Sequence, residues 1–398
     1  MKKWPSVIAV VVLCLGLVIG IACGREEEAA VKEVKFGFGM PLSGLYGIVG
    51  IPAMHTLELV NEKIGEFNVA GETYRWKLIF EDSKMTGAGG VATATKFIFD
   101  DRVKLIYQAG TDPAGAAQPI CEQSGVIMDI GLASRELLGP DKPHSIQISP
   151  TFLVHTPVLF KYVTAAYPEV KTLAIALPDN AFGHANGEAA IDAAPYFGLD
   201  VVAVEWVPVG ATELYPLATK LVNIDPDLII CDPPTLKPMR EMGYKGRNAY
   251  PFFLKLYADY LGWEYYQGAM VYQPNPIGAD LPQAVRDLAI EFEQRYGGEF
   301  SQFSYYASTI LFVMTEVLKK AGTVDDVDRI LETIHAETFD TWIGPVRFAG
   351  EELIGINNIM LWPAKIHEVR GEENVLVFEM SPDEAYELAV EVYGEFSE

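Results

Sequence analysis

Between Lys104 and Ser134 the chain reads as strand, polar turn, helix, strand and second polar turn, and this run narrows the fold more than any other. Lys104-Leu105-Ile106-Tyr107-Gln108 is a short apolar strand that stops at Ala109-Gly110-Thr111-Asp112-Pro113, a cluster of turn formers. Ala114 to Gly125 has helical composition, with Pro119 predicting a kink or a late start. Val126-Ile127-Met128-Asp129-Ile130 is a second strand, ended by Gly131-Leu132-Ala133-Ser134. Two strands joined through a helix run parallel, so Thr111 and Ser134, each with free backbone N–H groups nearby, come to the same carboxyl edge of one sheet. Ligands of open α/β sheets bind at that edge, and N–H groups at helix starts suit an anion. Taken singly, each of these two residues is more often an ordinary N-cap.

The alternation extends in both directions. Val34 to Gly39 is a strand, Met40 to Gly47 a Gly-rich loop, Ile51 to Ile64 a helix, Tyr74 to Asp82 a strand and Ala88 to Asp100 a helix. After about Ser149 the rhythm restarts: helix His155 to Tyr167, strand Thr172 to Leu177, helix Gly187 to Gly198, strand Val201 to Val207, helix Leu214 to Val222, strand Leu228 to Cys231 and helix Leu236 to Met242. A further strand is expected over Pro251 to Leu256, then helices over 281–296, 304–321 and 324–335 and a strand around Val346. Alternating strands and helices build parallel sheets. At 398 residues the chain exceeds one ordinary core, and two successive α/β halves predict two similar lobes.

A net charge of −24 with no basic stripe argues against a nucleic-acid partner. The first 22 residues read as a targeting segment: Lys2 and Lys3 precede an apolar run from Val7 to Ala22, shorter than the ~20 residues a spanning helix needs. Gly20-Ile21-Ala22 before Cys23 and Gly24 resembles a bacterial lipoprotein signal, with Gly20 where a leucine is usual. That resemblance implies lipid on Cys23, residues 23–33 as a Glu-rich tether, and a mature protein anchored to the membrane outside the cytoplasm. Of the remaining cysteines, Cys121 and Cys231 are expected as buried free thiols rather than a disulfide, since they fall in different lobes. The six histidines are scattered without metal spacing, so no metal or cofactor is expected.

No enzyme signature stands out. Gly37-Phe38-Gly39 lacks the third glycine of a dinucleotide fingerprint and Pro41 interrupts the loop; a P-loop and a G-x-S-x-G elbow are absent. Met40-Pro41-Leu42-Ser43-Gly44, by contrast, resembles the start of the leucine-binding-protein family, the type I periplasmic solute receptors of ABC importers. Glu81-Asp82-Ser83, the two turns at Thr111 and Ser134, Pro178-Asp179-Asn180-Ala181-Phe182-Gly183, Val207 to Leu214 and Gly344-Pro345-Val346-Arg347-Phe348 are similar to that family's segments in the same order.

The resemblance implies two doubly wound parallel-sheet lobes joined by a three-strand hinge. Lobe one would comprise 34–148 and 275–355, and lobe two 149–274 and 356–398. It further implies a monomer that closes on a small carboxylate or amino acid and hands it to a permease, or, as an alternative, a sensor of the same fold that signals to a partner. Thr111 and Leu132-Ala133-Ser134 would hold the ligand carboxylate, Tyr46 and Val49 would line the pocket, Phe182 would cover the ligand and Tyr306 would add a wall. Amino-acid binders of the family place a carboxylate near the segment Phe252 to Tyr257, which has none until Asp259. With Lys255 or Tyr257 there, an ammonium would lack its partner unless Asp232 supplies it. A carboxylate without an amine, such as an aromatic or branched aliphatic acid, fits the apolar set Val49, Phe182 and Leu256 as well or better.

Overall fold

The structure is a computed structural model that describes residues 31–132, 134–275 and 281–394. The targeting segment, Cys23 and Ala133 lie outside the described residues. From the N-terminal end run β1 (Lys32–Met40), α1 (Gly47–Ile64), β2 (Glu66–Val69), β3 (Glu72–Asp82), α2 (Gly87–Thr95), β4 (Leu105–Ala109), α3 (Thr111–Ser124), β5 (Ile127–Gly131) and β6 (Ser145–Ile146). The first sheet has the order β2-β3-β1-β4-β5-β6 and is parallel apart from β2. The β2–β3 hairpin was not expected; it turns at Ala70 and Gly71, both with positive φ, the turn that matches strand twist.

The chain then builds α4 (Phe152–Ala166), β7 (Thr172–Pro178), α5 (Ala181–Ala193), β8 (Asp200–Val207), α6 (Tyr215–Ile224), β9 (Leu228–Cys231), α7 (Pro233–Glu241), β10 (Arg247–Tyr250), α8 (Lys255–Leu261), α9 (Trp263–Tyr266) and β11 (Met270–Val271). After these come α10 (Gln283–Tyr296), α11 (Gln302–Ala321), α12 (Val327–Ala336), β12 (Thr338–Thr341), β13 (Gly344–Ala349), α13 (Glu351–Ile354), β14 (Ile359–Met360), β15 (Ala364–Arg370), β16 (Glu373–Met380) and α14 (Pro382–Tyr393). The second sheet has the order β16-β15-β11-β10-β9-β7-β8, parallel from β11 to β8, with β15 and β16 added antiparallel. The fold is therefore α/β with two parallel-dominated lobes.

One expected strand is corrected. Pro251 to Leu256 is not extended in the sheet: the strand is β10, four residues earlier, and Lys255 opens α8. Pro251 cannot donate to a ladder, so pairing stops at Tyr250 and the apolar run Phe252-Phe253-Leu254 is buried as irregular chain. Cys121 and Cys231 are buried free thiols, as expected, and burial pushes Cys121 up to about 12.

Three chain crossings connect the sheets. The first and third are tied together: Gln147 N donates to Asn358 O (2.8 Å), Met360 N to Gln147 O (2.9 Å) and Trp362 Nε1 to Ile148 O (2.6 Å). The second, after β11, is held by α11, whose buried Gln302 donates to Gln273 O (3.2 Å) and Pro251 O (3.3 Å) and accepts from Phe253 N (3.1 Å). α11 in turn packs on α1, burying Leu57, Val60, Leu311 and Leu318 in the core of the first lobe.

Beneath the first crossing, Asp129 of β5 accepts from Ile148 N at 2.9 Å through Oδ1, while its Oδ2 is buried without a partner. Burial raises this carboxyl from 3.8 to about 7. A folded-state pKa above the unfolded one means that the native state binds the extra proton across this window, so the group's contribution to stability falls as pH rises through it. Asp129→Asn keeps an acceptor for Ile148. It is expected to stabilise the protein by on the order of 2 kcal/mol at pH 8 and to change little at pH 4. Urea unfolding at both pH values checks this, and an equal effect at the two would count against a buried, proton-linked carboxyl.

Candidate functional site

Each sheet has a point where the direction of winding reverses, and such points open a crevice at the carboxyl ends of the flanking strands. In the first sheet it lies between β1 and β4, so the loops ahead of α1 and α3 border it; in the second it lies between β7 and β9, bordered by the loops ahead of α5 and α7. Tyr46, Thr111, Phe182 and Asp232 sit on these four loops.

In the first lobe the loop after β1 is pinned to the end of β3: Leu42 N and Ser43 Oγ donate to the two oxygens of Asp82 at 2.9 and 2.5 Å. Tyr46 then caps α1 through its backbone and is half-buried, its phenol raised by burial and by the charge of Asp112. Val49, one turn into the helix, is also half-buried. Thr111 is buried and is the first helical residue of α3, with Gly110 (φ +88°) as the cap, so it is not an N-cap itself. Its hydroxyl is spent on the neighbouring turn, donating to Leu132 O at 2.6 Å. Only its backbone N–H is left for a ligand. Leu132 sits at φ +64°, a conformation that costs a non-glycine residue about 1–3 kcal/mol. That geometry is held from both sides, since Leu132 N donates to Ser149 Oγ at 2.9 Å. Ser134 starts a short 3-10 turn without a side-chain cap bond.

In the second lobe Asn180 caps α5 by accepting from Gly183 N (2.9 Å), which fixes Phe182 at the helix start. Phe182 stacks on Phe252 with ring centroids 5.5 Å apart and meets Phe152 edge-on at 5.6 Å; Phe252 continues to Phe303 of α11 at 4.9 Å. These rings form an aromatic wall that joins the cores of both lobes. Asp232 caps α7, accepting from Thr235 N at 3.1 Å through Oδ1. Burial raises its carboxyl. The Tyr250, Tyr257 and Tyr266 phenols are all raised by burial and further by the Asp232 charge, and Tyr257 also by Tyr46. Tyr46, Tyr257 and Asp232 are thus within electrostatic range of one another.

Two expected site residues fall elsewhere. Lys255 is exposed and pairs with Asp259 at 2.6 Å, and Asp259 also accepts from Trp263 Nε1 at 3.0 Å, so neither reaches the cleft. Tyr306 is buried in the hinge, its hydroxyl accepting from Gln302 (2.7 Å) and donating to Pro274 O (2.8 Å). Sequence reasoning missed Ser149, Tyr250, Phe252, Phe303 and Gln302; only the run of aromatics around Phe252 carried any local signal. Among the described residues no group of His, Cys, Asp or Glu could hold a metal, and no helix is long and apolar enough to cross a membrane.

This architecture has two α/β lobes, each with a switch point at the carboxyl edge of its sheet. Residues 33–365 match the model of the periplasmic binding protein family, and the chain belongs to that family of extracytoplasmic solute-binding proteins. No curated protein sequence matches it. Among solved structures it is similar to an ABC-transporter solute-binding protein from Rhodopseudomonas palustris in complex with 3,4-dihydroxybenzoic acid, at 17% identity and TM-score 0.74 over 88% of this chain and 98% of that one. It is also similar to a leucine-binding protein from Thermotoga maritima (15%, TM-score 0.73, 88% and 99%) and to an R. palustris solute-binding protein in complex with benzoate (14%, TM-score 0.73, 89% and 97%). At these identities the likeness concerns the fold.

Thr111→Val removes the hydroxyl and keeps the shape. It is expected to cost about 1–3 kcal/mol, because the Leu132 carbonyl loses its partner in a partly buried turn. Chemical denaturation measures this; unaltered stability would mean that the hydroxyl does not hold the turn.

Proposed function

We propose that this chain is the receptor of an ABC importer, anchored outside the cytoplasm by lipid on Cys23, and that it captures a small carboxylate by closing its lobes. What supports the reading is which loops border the two switch points: those ahead of α1 and α3 on one sheet, with the Thr111 N–H close by, and those ahead of α5 and α7 on the other, with Phe182 stacked on Phe252. The moving units are 34–148 with 275–355, and 149–274 with 356–398, acting as a monomer that presents its closed form to a permease. The N–H of Thr111 and the turn from Leu132 to Ser134 hold the carboxylate, while Tyr46 and Val49 line the pocket and Phe182 covers the ligand. Two of the similar structures hold carboxylic acids, benzoate and 3,4-dihydroxybenzoate, and a third is named for leucine.

Recognition rests first on backbone and hydroxyl dipoles. The charged groups on the loops that border the crevices include Asp82, Asp112, Asp179 and Asp232, Arg135 follows Ser134 and donates to Leu353 O at 3.0 Å, and Lys255 turns away to Asp259. Oriented N–H groups bind an anion without a counter-charge and leave its release uncostly. Closure follows only from contacts made with both lobes at once.

Thermal-shift screening of the purified protein with benzoate, 3,4-dihydroxybenzoate, 4-methylpentanoate, leucine and phenylalanine is the test. A true ligand at ~100 times its Kd adds ~2.7 kcal/mol, a shift of several degrees. Ser134→Ala is expected to weaken that ligand about tenfold or more, the loss of one charge-assisted hydrogen bond of ~1.5–3 kcal/mol. Failure of every carboxylate to stabilise the protein would refute the reading.

A further inference from the structure

Resting on the carboxylate reading, we propose that Tyr107 is a further ligand-contacting residue: its hydroxyl donates to the ligand carboxylate in place of the Thr111 hydroxyl, and Gly131 leaves it the room to reach. The need for such a donor comes from the turn itself. Thr111 spends its hydroxyl on Leu132 O, and Leu132 spends its N–H on Ser149 Oγ. A carboxylate offers about four lone-pair sites to donors, so these two commitments leave it short on this side of the cleft.

Tyr107 stands where the donor is wanted. It belongs to β4, one wall of the switch point between β1 and β4, and its ring lies 6.0 Å from that of Phe38 on β1. Phe38, Tyr107 and Asp129 are register partners on neighbouring strands, so their side chains share one face of the sheet. The phenol does not turn sideways to Asp129, whose Oδ2 is buried without a partner. It leans along the sheet towards the carboxyl edge instead. A Cβ on Gly131 would lie 2.6 Å from Tyr107 Oη and 3.1 Å from its Cζ. Gly131 ends β5 and, unlike Gly110, is not at positive φ, so the missing side chain supplies space and not backbone freedom. Its register partner is Ala109. Two small residues at the sheet edge thus open a lane for one long side chain.

The hydroxyl so placed is available. It makes no hydrogen bond among the described residues, and yet its oxygen is not sealed from water. Tyr107 is partly exposed, whereas its strand neighbours Ile106 and Gln108 are fully buried. For a central strand between helical layers, the opening is the crevice at the carboxyl edge. Burial, and then the charge of Asp129, hold the phenol above its ordinary range, so it stays protonated and acts as a donor. A hydroxyl that donates to a carboxylate makes a charge-assisted bond, stronger than one between neutral groups.

The experiment is titration calorimetry of the parent protein, Tyr107→Phe, Gly131→Ala and the double variant with benzoate, 3,4-dihydroxybenzoate, 4-methylpentanoate and leucine. Tyr107→Phe is expected to weaken every acid that binds by about tenfold or more, the loss of one charge-assisted hydrogen bond. The melting temperature of the unliganded variant is expected to match that of the parent, because the hydroxyl has no protein partner. Gly131→Ala is expected to weaken the same acids in the parent and to cost much less once the hydroxyl is gone, a coupling that general loosening of the turn would not produce. Unchanged affinity in Tyr107→Phe overturns the assignment, and if Ser134→Ala still weakens the same acid, the carboxylate reading survives it. A loss confined to 3,4-dihydroxybenzoate, with benzoate unaffected, also overturns it, because the hydroxyl would then read the ring and not the carboxylate. Equal losses from Gly131→Ala in both backgrounds overturn the part given to the glycine. If no acid binds the parent protein, both readings fall together.

Discussion

Gln302 is the side chain on which the geometry of this cleft depends. It opens a helix of the first lobe yet spends its amide on backbone that belongs to the second sheet's side of the molecule: Phe253 N, Pro251 O and Gln273 O. Buried main-chain groups outside secondary structure need partners, and here one residue satisfies three of them. Tyr306, one helical turn later, accepts from Gln302 and donates its own hydroxyl hydrogen bond to Pro274 O. The irregular stretch from Pro251 to Leu254 is thereby held rigid, and it is this stretch that aims α8 and carries Tyr257 towards Asp232 and Tyr46. A strand there would have spent its N–H and C=O groups on sheet neighbours, and no residue of the first lobe could have held it in this way.

The charge of the protein bears on how it selects a ligand. A net charge of −24 over the whole sequence repels an approaching anion at long range and low ionic strength. Under the carboxylate reading proposed above, donors in the Thr111 and Ser134 turns act only at contact range and do not draw the anion in from a distance.

Most of the architecture was legible in the sequence because it is written in local signals. The alternation of apolar runs with turn clusters located the parallel strands, and Gly110 with Asp112-Pro113, then Gly131 with Ser134, announced the two turns through residue types that turns demand. The run Phe252-Phe253-Leu254 deceived because burial alone produces the same apolar signature in a strand and in packed irregular chain; Pro251, which ends the pairing at Tyr250, was the deciding residue. The hairpin at Ala70-Gly71 was overlooked although its turn is local. The grouping of Tyr46, Tyr257 and Asp232 had no local signature at all, since it joins residues from two lobes that only the fold brings together. Tyr306 looked like a wall residue for the opposite reason: its position on the helix was right, but its hydroxyl is consumed inside the hinge.

The strained turn at Leu132 shows how binding could reach the hinge. A bulky residue at φ +64° is held only because the Thr111 hydroxyl takes its carbonyl and the Ser149 hydroxyl takes its N–H. The turn is therefore shaped before a ligand arrives, and little binding energy goes to ordering it. Ser149 lies on the first crossing, two residues after Gln147, whose backbone is bonded to Asn358 and Met360 on the third. The turn at Leu132 and the first and third crossings thus form one hydrogen-bonded unit. Through the bond from Leu132 N to Ser149, any rotation of one lobe on the other that moves the first crossing is felt at the turn. That coupling lets a small ligand bias the lobes, provided that its other end finds partners on the far side of the cleft.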